Sequence, residues 1–250
     1  MLTRALTRPR NLTLAAILLA LLGGLFAIVG PIPQDPAYHG LADARTLLGI
    51  PSFLNVASNA AFLVLGILGL NMFTKRRIPG ARRSWAVFFF GVLLVALGSA
   101  YYHLAPSDAR LVWDRLPMTI AFMAAFSALL AEHVAPELEG KVLPIALAVG
   151  IASVVWWVYS GDLRLYAWVQ FGPLAASLYM LVVYPARHPR RGYLAVAVLF
   201  YVLAKVLEFA DGAIFSATSG AISGHTLKHL AAAGAPLCIY LMLHPRLRST

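Results

Sequence analysis

Eight stretches of about 18–21 predominantly apolar residues dominate this sequence, at roughly 12–32, 53–73, 85–104, 114–133, 142–159, 164–184, 192–211 and 224–243. A bilayer core of ~30 Å takes about 20 apolar residues per helix, so each stretch is long enough to cross. The connections are short and marked by Pro, Gly or charge, as in Pro31-Ile32-Pro33, Lys75-Arg76-Arg77 and His188-Pro189-Arg190-Arg191. They leave no room for a soluble domain, and no internal repeat is visible. Composition closes the other routes. The chain is 60% hydrophobic and 12% charged, against ~25% charged in a soluble domain. Its single cysteine, Cys238, excludes a disulfide framework and a Cys-based zinc site. The fold class is all-α, a polytopic membrane helix bundle.

The first stretch carries Arg4, Arg8 and Arg10 on its N-terminal flank, as a signal peptide does. Its apolar run from Leu12 to Gly30 exceeds the ~7–15 residues of a signal h-region, and no A-x-A site follows. We expect it to be retained as a helix. The net charge of +10 would suggest nucleic acid on a soluble protein; here it reads as topology, with no nucleic-acid partner. Fourteen of the twenty Lys and Arg fall in the N-terminus, the segments 74–84, 134–141 and 185–191, and the C-terminal tail. Arg45, Arg110, Arg115 and Arg164 fall in the opposite set, and Lys205 and Lys228 within spans. The positive-inside bias predicts both termini in the cytoplasm, which eight spans allow.

An ionisable group inside a span costs a few kcal/mol unless it has a partner or a use. Ser99 and His103, at the end of the third stretch, are i,i+4 neighbours on one helix face. Read plainly, they are a serine bonded to its own backbone and an interfacial histidine. Asp114 opens the fourth stretch, where an Asp also serves as a cap, and Arg115 beside it offers a counter-charge. His225 and His229, opening the last, present two imidazoles at i,i+4, the spacing of helical zinc sites. Asn55, Ser58 and Asn59 share a face in the second stretch, as do Lys205, Glu208 and Asp211 in the seventh. These are either interhelical hydrogen bonds and a Lys–Glu pair or support for a site. Given the orientation above, all of them fall in the outer half of the membrane. His39 falls in a loop; His133, His188 and His244 fall at the cytoplasmic side, as interfacial residues.

Three imidazoles with one open position form the catalytic zinc arrangement, in which water takes the fourth place and ionises near neutral pH. Asp114 could then move the water's proton, and Ser99 could bond the oxyanion at an attacked carbonyl. The chemistry implied is metal-assisted hydrolysis of an amide or ester. A receptor keeping a structural zinc, and a transporter relaying protons through Lys205, Glu208 and Asp211, are the alternatives.

The set Ser99-x3-His103-x10-Asp114, followed by His225-x3-His229, resembles the alkaline ceramidases, whose superfamily includes the adiponectin and progestin receptors and the Per1-type GPI-remodelling proteins. Phe53-Leu54-Asn55-Val56-Ala57-Ser58-Asn59 is similar to the family's F-x-N-x-x-S-N run. The resemblance covers about residues 50–245. It implies a seven-helix ceramidase-like core (49–250), to which 1–48 adds an N-terminal transmembrane helix and an outer loop. It further implies zinc on His103, His225 and His229, Asp114 acting on water, Ser99 assisting, and a ceramide-like N-acyl lipid, drawn from the bilayer, as substrate. Eukaryotic members carry an acidic calcium-binding stretch ending in Glu before the F-x-N run. Ser52 stands there in this chain, with only Asp35 and Asp43 upstream, so no calcium site is expected. The excess of Arg over Lys hints at a bacterial inner membrane, with the active site near its periplasmic face.

Overall fold

The computed structural model describes residues 6–75, 78, 80–185 and 190–244. Among them the regular structure is entirely helical, and eight helices are long and apolar enough to span a membrane. In chain order the helices are α1 (Pro9–Ile28), α2 (Phe53–Ala57), α3 (Ala60–Lys75), α4 (Arg82–Leu104), α5 (Asp108–His133), α6 (Glu139–Ser160), α7 (Arg164–Val183), α8 (Gly192–Phe209), α9 (Asp211–Ala217) and α10 (Gly224–Leu243). Two 3₁₀ turns, Pro36–His39 and Pro136–Leu138, complete the set. Outward-facing positions carry large apolar side chains, with Ile28, Val182 and Phe209 each more than four-fifths exposed. That is the surface a lipid-facing helix presents.

Three expectations change in detail. The second stretch is not one helix: it breaks at Ser58 and Asn59 between α2 and α3. Ser58 Oγ and Asn59 Nδ2 both donate to the Asn55 carbonyl, at 3.0 and 2.8 Å, so side chains compete for the backbone acceptor the helix would use. The fourth helix starts at Asp108, six residues before Asp114, which removes the capping explanation for Asp114. Asp211 does not end the seventh span; α8 stops at Phe209 and Asp211 opens the short α9.

The residues fall into two compact units. One comprises Met1–Gln34, Arg76–Phe88 and Thr119–Arg191. In it α1 packs along α7, and α7 against α6, over a core of Met123, Ala146 and Val169. Although α1 is mostly apolar, polar side chains on and just beyond α7 fasten it, chiefly by its backbone. Trp168 Nε1 donates to the Leu18 carbonyl (3.1 Å) and Tyr179 OH to that of Arg10 (3.1 Å). Arg164 donates to Val29 O (2.9 Å), and the Tyr184 hydroxyl donates to Asn11 Oδ1. His133, expected at an interface, is buried in this unit with Nδ1 on the Leu129 carbonyl and its ring edge-on to Tyr184. His188 lies outside the described residues.

Asp162, in the α6–α7 connection, anchors the segment that follows the C-terminal end of α1. Its carboxylate accepts from Ile32 N–H (3.1 Å) and pairs with Arg164 (2.8 Å). The Arg164 guanidinium holds the Asp162 carboxyl down to about 2, against the penalty of burial. A carboxylate whose pKa is lowered on folding contributes stability above its unfolded pKa of ~4, and the contribution is lost as pH falls through the folded value. Wild-type protein in detergent should therefore lose thermal stability between about pH 4 and pH 2. Asp162→Asn should melt lower than wild type at pH 7, and scanning calorimetry should find the gap closing across that window. An equal gap at all pH values would show that the pair is not its source.

The second unit comprises Asp35–Lys75, Phe89–Met118 and Gly192–Thr250. Here α10 packs along α8 and against α3, and all the chemistry-bearing residues singled out above lie in it. Small residues set its spacings, as in membrane bundles generally. Gly66 and Gly69 of α3 receive Leu93 and Phe89 of α4, and Gly234 of α10 receives the Phe200 ring of α8.

Candidate metal centre

Two glycines, each one residue before a candidate site residue (Ser99 and His225), bring the helices together. A Cβ on Gly98 would overlap the Trp113 carbonyl oxygen. That oxygen is free to lean towards α4 because its helical acceptor role would require the N–H of residue 117, which is a proline. The close approach sets Ser99 beside Asp114, so that the hydroxyl bears on the Asp114 carboxylate. A Cβ on Gly224 would overlap the Leu207 carbonyl and crowd Asp211, so α10 can begin against the α8–α9 junction. Asp211 Oδ1 then accepts from His225 N–H at 2.7 Å, and Oδ2 from Ala42 N–H at 3.0 Å. A carboxylate at a helix N-terminus also meets the favourable end of the dipole.

His103, His225 and His229 are brought together, each at most 4% exposed. His103 Nε2 lies 3.2 Å from His229 Nε2 and 3.3 Å from His225 Nε2. One ligand atom from each lies within 4.8 Å of the others. A tetrahedral metal with bonds of about 2.0–2.1 Å sets its nitrogen ligands roughly 3.3–3.4 Å apart, so the spacing suits a zinc-sized ion. The tautomer of His229 agrees. Ser58 has one proton and donates it to Asn55 O, so its 2.8 Å contact with His229 Nδ1 is an N–H donating to Ser58 Oγ. With the proton on Nδ1, the Nε2 lone pair faces the other two imidazoles, and such a partner on the far nitrogen is how protein metal ligands are oriented. When His103 and His225 likewise turn Nε2 lone pairs into this buried space, the three repel unless a cation lies between them.

The surroundings are built to match. Asn55, fully buried, accepts from Thr226 Oγ1 (2.8 Å) at the start of α10 and donates to the Asp43 carbonyl (3.0 Å). Ser223 caps α10 by accepting from Thr226 N–H. The segment 35–45 lies across this end of the unit, with Tyr38 OH on Glu208 Oε1 (3.0 Å) and His39 Nδ1 3.0 Å from Tyr102 OH.

The sequence profile of the family described as Ceramidase matches residues 49–243. The chain belongs to the ceramidase family. In this family member the match runs from just before α2 to the end of α10, so it contains every residue of the centre and excludes α1. No curated protein matches the chain. Family and architecture together make it a ceramidase-type hydrolase of amide bonds on membrane-type helices, with three buried histidines arranged to hold a metal ion.

Lys228 escaped the sequence reading. It sits between the two histidines of α10, and its Nζ lies 2.6 Å from Glu208 Oε1 and 3.3 Å from His225 Nε2. Glu208 also accepts from Lys205 Nζ at 2.6 Å. The cue was present, since position 228 is one turn from 225 on the same helix face; what was missing was the fold that brings Glu208 to meet it.

Proposed function

We propose that this ceramidase-family protein is a zinc-dependent amidase that cleaves ceramide-like N-acyl lipids into a fatty acid and a sphingoid-type amine. The observation that carries the reading is the convergence of three buried imidazole Nε2 atoms within the matched region, on helices that also carry the buried Ser99 and Asp114. His103, His225 and His229 would hold the metal. When bound, zinc supplies a water ionised near neutral pH and a Lewis acid for the acyl oxygen.

The remaining steps belong to the chain's own side chains. Asp114 takes the proton of the attacking water and returns it to the departing nitrogen, as general base and then general acid. Ser99 holds the Asp114 carboxylate in position while it is charged. Once Asp114 is protonated the hydroxyl is released to donate to the oxygen anion at the attacked carbonyl. No calcium requirement is expected. The carboxylate of Asp43 is taken up by Arg45, whose Nε and Nη2 both donate to it at 2.7 Å and hold the Asp43 carboxyl below its usual range. Residues 49–250 would form the catalytic domain and 1–48 an added helix and outer loop. With both termini cytoplasmic, the centre would lie near the periplasmic face of a bacterial inner membrane.

Lipid mass spectrometry on purified protein tests this. Incubation with a panel of N-acyl amines and lysolipids should release fatty acid and amine in equal amounts from ceramide-like members. Chelation should stop the release and zinc should restore it. Metal-replete protein that leaves every N-acyl amine intact would overturn the assignment.

A further inference from the structure

Lys228 is placed where a structural lysine has no need to be. Its side chain is 18% exposed and that of Glu208 16%, so the pair is largely withdrawn from water. Glu208 does not depend on Lys228 alone: Lys205 Nζ occupies Oε2 at 2.6 Å, and Tyr38 OH shares Oε1 at 3.0 Å. Two ammonium groups thus serve the Glu208 carboxylate, and Lys228 also feels the charge of Asp114, which places its ammonium between the ion pair and the histidine centre.

The donors of Lys228 can be counted. An ammonium has three N–H groups and no acceptor. One is directed to Glu208 Oε1 and another to His225 Nε2. That nitrogen has a single lone pair, and His225 cannot give it both to a metal and to Lys228. With a metal held, an N–H of Lys228 loses its acceptor about 3.3 Å from a ligand atom and is left to donate to an oxygen held at the centre.

We propose that Lys228 is a catalytic residue that receives the acyl oxygen of the substrate, first as the carbonyl oxygen gains negative charge and then as the carboxylate of the released fatty acid. The proposal rests on the amidase reading above. In that reaction a C–O bond forms to the oxygen of water and the C–N bond breaks. Both protons of the water end on the amine, and the negative charge is left on the carboxylate. The product is therefore an anion formed beside Lys228, and a charge-assisted hydrogen bond there is about twice as strong as a neutral one. Glu208, Lys205 and Tyr38 act as positioning residues that keep the ammonium from swinging out.

The test compares hexadecanoate with hexadecan-1-ol, which differ in the charged end alone, for binding to zinc-loaded wild type, Lys228→Met and Lys228→Arg. Wild type should prefer the carboxylate. K228M should keep its metal and lose at least about tenfold of that preference, and K228R should recover part of it. On an N-acyl lipid, K228M should lower kcat by about 10²–10³ with little change in KM. K228M with wild-type preference for hexadecanoate overturns the proposal. So does a wild type that binds acid and alcohol alike, a result that needs no variant to fold. If wild type hydrolyses no N-acyl amine yet shows a Lys228-dependent preference for the acid, the amidase reading falls and the anion-binding role of Lys228 stands.

Discussion

His225→Ala should reduce the metal content of the purified protein from one ion per chain to none, and lipid hydrolysis to background. The imidazole is one of three, and two remaining nitrogens on separate helices, His103 on α4 and His229 on α10, cannot close a tetrahedral site alone. Elemental analysis of carefully washed protein reads the first effect and fatty-acid release the second. The fold should survive, because α10 keeps its cap at Ser223 and its packing along α8. A variant that retained one equivalent of metal would show that the ion sits elsewhere, and the triad would lose its assigned role. His103→Ala is the companion: it removes the nitrogen that both other imidazoles face, at 3.2 and 3.3 Å.

Asp114→Asn should separate chemistry from assembly. The amide is nearly isosteric and can still accept the Ser99 hydroxyl, but it cannot take a proton from water. Loss of a positioned acid–base group costs about 10²–10⁴ in rate, so turnover should fall by that factor while metal content, thermal midpoint and KM stay near wild type. Equal activity in the variant would remove Asp114 from the reaction. Loss of metal together with activity would instead make Asp114 part of the binding site.

The eight helices are legible in the sequence because apolar length is a one-dimensional property, read without knowing any partner. The histidine pair 225/229 is legible for a related reason, since i,i+4 spacing fixes their common face before folding. What escapes depends on contacts between distant segments. The break at Ser58 and Asn59 arises because both side chains turn onto Asn55 O, a choice that an apolar stretch with a few polar residues does not reveal. Asp114 passes for a helix cap because the charges of Asp108 and Arg110 break the apolar run ahead of it, yet residues 108–113 are helical. Lys228 reads only as a charge within a span until the fold brings Glu208, twenty residues away, to meet it together with Lys205 and Tyr38.

The bonds between α1 and α7 impose an order on synthesis. Leu18 and its partner Trp168 are 150 residues apart, which at about 5–20 residues per second is roughly 8–30 s of translation. For that interval α1 is in the bilayer without the helix it will hold. It can wait, since its backbone is satisfied internally and it presents little but hydrocarbon. The polar side chains arrive with α7: Arg164, Trp168 and Tyr179 enter the membrane to find the carbonyls of Val29, Leu18 and Arg10 already in place. The first helix made is in this sense a template left in the membrane for the sixth span, and the ribosome reaches the far partner only after most of the chain between them has been inserted.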